Sequence, residues 1–229
     1  MNKDQIRTLD DLKHFLVNAL QLEHATLPPY LTALYSIKPG TNSEARQILR
    51  LVAVEEMLHM SVVANMLNAI GGRPDLTDDD FVPAYPAYLP DGETTFKVDV
   101  QRFSEKAVDN FLQIEQPTRP SKPVDLSKAD RSGNMLLQFN RDVPLAVETI
   151  GHFYAEIGQG FELLYNEMGV ALFSGNPAFQ ITSEYYYSGG AAIIPVRDIE
   201  SVRKALHTIA GARGGGARGR RSSRITKAI

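Results

Sequence analysis

Apolar side chains recur at helical spacing in several stretches of the chain, separated by clusters of proline, glycine and polar residues. In the first stretch Leu12, Leu16, Ala19, Leu20 and Leu27 mark one face, and Thr8 followed by Asp11 resembles a capping box. Pro28 and Pro29 interrupt the pattern before YLTALYSI resumes it. They remove the amides that would bond to the carbonyls of His24 and Ala25, which predicts a kink or break. In the second stretch Ile48, Val52, Val63, Met66 and Leu67 form the apolar stripe of a run from Glu44 to Ile70. Asn42 or Ser43 is placed to cap it, and Gly71-Gly72, with Pro74 beyond, to stop it. The two stretches read as a helical hairpin.

Residues 73–103 are rich in proline and aromatic side chains and predict a long crossover with one short strand at FKVDV. Ser104 is placed to cap a short helix, EKAVDNFLQIE, and residues 117–141 read as a loop. A third long helix is predicted from Asp142 to Glu167, with Pro144 near its first turn. Residues 169–196 read as irregular, and a shorter fourth helix as running from Asp198 to Ala210. There is no internal repeat. Two long helices, a long crossover and two more helices predict an all-α fold, a ferritin-like four-helix bundle with a crossover insertion at 73–103. The bundle is expected as one domain over residues 1–210. The alternative is a different α bundle with a disordered insert.

Composition narrows the chemistry. Of 229 residues 43% are hydrophobic and 22% charged, and cysteine is absent. That excludes disulfides, thiolate zinc sites, iron–sulfur clusters and cysteine nucleophiles. No apolar run reaches the roughly 18–20 residues of a membrane span, and the N-terminal stretch is too polar for a secretory leader, so a cytoplasmic location is the expectation. The formal charge of −3 hides an asymmetry: residues 211–229 hold six basic side chains and no acid. The remainder carries 18 basic against 27 acidic residues. The segment 211–229 is expected to be a disordered, Gly/Arg-rich tail.

The informative anomaly is acid inside apolar stripes, because an unpaired buried carboxylate costs several kcal/mol. Glu23 lies three residues after Leu20, and Glu56 four after Val52. His59 follows Glu56 at i+3 and precedes Val63 by four, so both side chains leave one helix face. Carboxylate and imidazole ligands suit Fe or Mn, with Zn as a further option. Glu55 is turned about 100° away and reads as a solvated acid or as one that supports a ligand from behind. The third helix offers Glu148, His152 and Glu156, four apart, with Glu148 and His152 preferred over Glu156 as ligands. The fourth helix lacks a second Glu-x-x-His, since His207 follows Lys204 at that spacing. His14 and His24 read as peripheral, and Tyr185, Tyr186 and Tyr187 as aromatic packing. Nucleotide-binding glycine motifs and a serine nucleophile elbow are missing.

The strings ALQLEHATLPPYLTALYSI and VEEMLHMSVVANMLNAIGGRPDL, with PAYPAYLPDG, FLQIEQP and ETIGHFYAEI, resemble a known family. It comprises ferritin-like proteins related to a domain of iminophenyl-pyruvate dimer synthase of violacein biosynthesis. The resemblance covers about residues 9–167, and 196–210 more loosely. It implies a non-haem metal centre, supports Glu23, Glu56 and His59 as ligands, and more weakly supports the position of His152, where the family pattern expects Glu. The C-terminus departs from the family, which is expected to carry Glu-Gln-Gly-Glu-Gly and then a His-Tyr pair. This chain has GARGGGARGRRSSRITKAI instead. Back-translation recovers both strings, each in a different alternative frame, so a frame-disrupted tail and a genuine basic tail both stand as readings.

The expected function is that of a non-haem iron oxidoreductase, mono- or dinuclear, acting with dioxygen on a small organic substrate in secondary metabolism. A ferroxidase or iron-handling protein is one alternative, and a metal-poor, non-catalytic bundle the other. A homodimer is compatible with the sequence, whereas membrane and nucleic acid are not expected partners.

Overall fold

The structure is a computed structural model and describes residues 6–79, 81–90, 96–115, 150–186 and 192–213. Its helices are α1 (Leu9–Ser36), α2 (Ser43–Ala69), α3 (Glu105–Glu115), α4 (Ile150–Met168) and α5 (Ile199–Arg213). α1 packs along α2 and α4 along α5, while α1 also meets α4 and α2 meets α5. This is the square contact pattern of a four-helix bundle with a long connection between its two pairs. No described helix is long and apolar enough to cross a membrane.

The capping box at the start of α1 is present. Asp11 N donates to Thr8 Oγ1 at 3.1 Å, and Thr8 N donates back to Asp11 Oδ2 at 2.8 Å. The predicted break at Pro28-Pro29 is corrected: α1 runs through both prolines as one helix of 28 residues. The carbonyl of Ala25, which loses its amide donor to Pro29, accepts instead from Tyr85 Oη at 2.7 Å. The crossover thus supplies the bond that the helix cannot make for itself.

At the start of α2, Asn42 occupies the N-cap position in the left-handed region, and its side chain makes no capping bond. The far end follows expectation. Gly71 has φ +72°, Gly72 N bonds to Leu67 O and Gly71 N to Asn68 O, the paired bonds of a Schellman stop. Gly175 is pressed onto this stop, since a Cβ there would lie 1.7 Å from Asn68 O.

The expected strand at FKVDV reduces to one antiparallel bridge, Ala87 with Val98. Its partner segment carries Pro83, Pro86 and Pro90, which lack the amides that would extend a ladder. The crossover is held by side chains instead: Phe81, Ala87, Leu89 and Val98 are buried, and Phe103 N donates to Ser36 Oγ at 2.7 Å. α3 starts as expected, with Ala107 N donating to Ser104 Oγ.

The irregular stretch after α4 contains two short 3-10 turns and is pinned to α2 by Asn65, fully buried. Its amide donates to the carbonyls of Ile181 and Ile194, and its oxygen accepts from Ile181 N. Gln180 completes the clasp, donating to Asn65 O and accepting from Val196 N. α5 continues three residues beyond its expected end, to Arg213, and Arg203 on it forks onto Glu162 of α4 at 2.8 and 3.0 Å.

Candidate metal centre

Where α1 and α2 face each other in the bundle, three potential ligands converge. Glu23 is 0% exposed, Glu56 1% and His59 1%. Each offers one donor atom, and the three atoms lie within 4.8 Å of one another. His59 Nδ1 is 3.6 Å from Glu23 Oε2 and has no hydrogen-bond partner. Donors that share one ion, each about 2.0–2.2 Å from it, stand roughly 3–4 Å apart, so the Glu23–His59 pair already has ligand spacing. A buried imidazole nitrogen without a partner beside two buried carboxylates is a donor set that fits a cation.

The helices deliver this geometry by simple spacing. Glu56 and His59 are one turn apart on α2, and Glu23 and Thr26 one turn apart on α1. Thr26 Oγ1 lies 2.9 Å from Glu23 O and 3.3 Å from Glu56 Oε2, so its single proton links the backbone of one acid to the carboxylate of the other. From α4, Tyr154, 3% exposed, donates its phenol to Glu23 Oε1 in a short hydrogen bond. Glu23 therefore directs one oxygen at Tyr154 and the other at His59.

One turn along α1 from Thr26, Tyr30 is fully buried and donates to Glu115 Oε1 at 2.9 Å. Glu115 is the last residue of α3 and is 3% exposed. The Tyr30 ring lies against Phe111, centroid to centroid 4.7 Å. A polar seam thus follows α1 from Glu23 through Thr26 to Tyr30, with acids on it from α2 and α3.

Of the expected ligands, Glu23, Glu56 and His59 come together. Glu148 lies outside the described residues. His152 sits on α4, and its side chain is likewise outside the description. Glu156 is half-buried, and His207 and Glu200 on α5 are exposed. Glu55 is half-buried. His24 is also corrected: it is half-buried, its ring packs on Phe81 at 5.0 Å, and its Nδ1 is a buried atom without a hydrogen bond. Burial lowers its pKa below the ordinary histidine value. His14 is exposed as expected. Tyr185 is 70% exposed, against the packing expected of it, and Tyr186 is half-buried and donates to Val54 O. Tyr187 lies outside the described residues.

Sequence reasoning missed Tyr154, Thr26, Tyr30 and Glu115. Glu115 carried the same signal that exposed Glu23 and Glu56, for it follows Phe111 by four and Val108 by seven on the buried stripe of α3. Tyr154 gave no such signal, because a tyrosine in an apolar stripe is ordinary core composition.

Comparison with known proteins places this geometry in a setting. A crystal structure of a ferritin-like protein from Caulobacter vibrioides is similar, with a TM-score of 0.63 and 22% identity, covering 97% of this chain and 71% of that one. At that identity the likeness speaks for the fold. No curated protein matches the chain. A family model described as ferritin-like matches residues 16–223, nearly the whole chain, and the chain therefore belongs to the ferritin-like family.

Proposed function

We propose that the chain is a non-haem iron protein that uses dioxygen to oxidise a small organic substrate. The observation that carries the reading is the buried group of Glu23, Glu56 and His59, whose imidazole Nδ1 has no hydrogen-bond partner. Glu23 and Glu56 would supply the negative charge and His59 the neutral nitrogen donor, a mixture that suits Fe, with Mn or Zn competing. Three protein donors leave coordination positions for small ligands. When bound, iron would supply the redox chemistry of dioxygen. Tyr154 and Thr26 hold the two carboxylates in orientation, and the surrounding apolar side chains, Leu20, Val52, Val63 and Phe153 among them, keep water out. The resemblance of residues 9–167 to the ferritin-like domain linked to violacein biosynthesis favours an organic substrate over iron itself.

Two measurements test this. Protein produced in iron-supplemented medium is expected to carry stoichiometric iron, and the Glu56→Ala/His59→Ala variant to carry none. Iron-loaded protein is then expected to consume oxygen with small aromatic or amino-acid-derived compounds, without added Fe(II). Wild-type protein without bound metal would end the reading. Oxygen uptake driven by added Fe(II) alone would reassign the protein as a ferroxidase.

A further inference from the structure

A cleft of about 340 Å³ lies between α1 and α2, within the size range of small-molecule sites. Glu23, Glu56 and His59 do not line it. Its lining is ordered along α2. Arg46 and Arg50 stand at one end, and Ala53, Val54 and Met57 continue the same helix face toward the other. From Arg50 to Met57 the helix rises about 10 Å. Across from them α1 supplies Leu31, Leu34 and the exposed Tyr35. The cleft therefore has a cationic end and a narrow, mainly aliphatic body.

The two arginines do not serve the helix. They are four residues apart, a like-charge spacing that weakens a helix slightly. Neither has an acid three or four residues away on either side. Among the described residues no ion pair involves either of them, although residues 1–210 hold 27 acids against 18 basic residues. Two guanidinium groups one turn apart, each with free donors, match the oxygens of one small anion.

We propose that this cleft is a second binding site, separate from the metal centre, for a medium-chain aliphatic carboxylate. The carboxylate sits on Arg46 and Arg50, and the chain lies along Ala53, Val54 and Met57 against Leu31 and Leu34. The head supplies the charge that the arginines lack, and the tail covers apolar side chains of which Met57 is 37% exposed. A neutral or cationic molecule of the same length leaves the guanidinium groups unanswered. A short carboxylate leaves the apolar body of the cleft empty. The proposal does not depend on the iron reading above.

The test is calorimetric titration of the full chain with octanoate, octanol, octyltrimethylammonium and acetate. Octanoate is expected to bind with one site per chain, and the other three to bind at least tenfold more weakly. The chain has no tryptophan of its own, so emission from Tyr35→Trp reports from the cleft and is expected to shift with octanoate. Arg46→Gln/Arg50→Gln is expected to melt no lower than wild type and to bind octanoate roughly tenfold or more weakly. Glu56→Ala/His59→Ala is expected to bind it as wild type does, which separates the cleft from coordination of the carboxylate by a metal ion. Equal binding of octanoate and octanol overturns the proposal, as does octanoate binding that survives in Arg46→Gln/Arg50→Gln. Binding lost only in Glu56→Ala/His59→Ala overturns it and makes octanoate a ligand of the metal centre. A wild-type chain that binds no octanoate overturns it as well, and a dimer that shields the tryptophan of Tyr35→Trp would then assign this face to a second copy.

Discussion

The hydroxyl of Tyr85 donates at 2.7 Å to the carbonyl of Ala25, the acceptor that Pro29 deprives of its helical amide. One residue of the crossover therefore repairs the helix that carries Glu23, two positions before Ala25. Burial pushes the Tyr85 phenol well above the ordinary tyrosine range, so it stays a donor at any working pH.

Tyr85→Phe leaves a carbonyl inside the bundle without that donor. The expected cost is about 1–3 kcal/mol, which lowers the melting temperature by roughly 2–4 °C per kcal/mol in a chain of this size. Pro29→Ala restores an amide to Ala25, so the cost of Tyr85→Phe in that background should shrink. Thermal denaturation of the two single variants and the double variant measures the coupling. Equal cost in both backgrounds would show that Tyr85 acts through packing alone.

The same pair of residues shows what the sequence could and could not say. That Pro29 frees the carbonyl of Ala25 follows from chain chemistry. That Tyr85, sixty residues away, would satisfy it depends on tertiary placement, and so local chain chemistry alone overstates the tendency of the helix to break there. Glu23, Glu56 and His59 were legible because acids in an apolar stripe violate a local rule. Glu115 broke the rule in the same way on a helix too short to draw attention. Tyr154 broke no rule, and its contact with Glu23 spans the bundle. The strand expected at FKVDV failed for a nonlocal reason as well, because its partner segment is too rich in proline to pair beyond one bridge.

Tyr30 and Glu115 form a buried pair that belongs to the frame of the site rather than to the ligand group. Tyr30→Phe removes one hydrogen bond from a buried carboxylate, at a cost of about 1.5–3 kcal/mol. Iron stoichiometry should not change, because Glu115 is outside the three-donor group. Glu115→Gln keeps an oxygen to accept from Tyr30 and should cost less than Glu115→Leu. Denaturant midpoints and metal content of the three variants separate stability from binding. Loss of iron in Glu115→Gln would instead make Glu115 a ligand.

The start of α5 provides a pH-dependent element away from the site. The amide and hydroxyl of Ser201 donate to Asp198 and hold its carboxyl below the ordinary value of 3.8. A carboxyl with a depressed folded pKa contributes stability above its unfolded value and loses it as pH falls through the folded one. Asp198→Asn retains an oxygen at the cap and cannot titrate. The melting temperature of the wild-type protein should therefore fall more steeply than that of the variant as the pH drops below about 4. Parallel curves would show that the cap contributes nothing through its charge.

Two carboxylates and an imidazole gathered in a dry interior are costly when no cation balances them, and this sets stability against function at Glu56. Glu56→Gln retains an oxygen for the hydroxyl of Thr26 but removes the charge near Glu23. Metal-free Glu56→Gln is expected to melt above metal-free wild type, because like charges buried together repel. Added metal should reverse the order. Wild type gains about 2.7 kcal/mol at a free metal concentration 100 times its dissociation constant, and the variant gains little. Melting curves of both proteins, with chelator and with Fe(II) under nitrogen, decide the matter. A metal-free variant that melts below wild type would mean that Glu56 stabilises the bundle as an acid, and the case for a site built to receive a cation would lose its energetic basis.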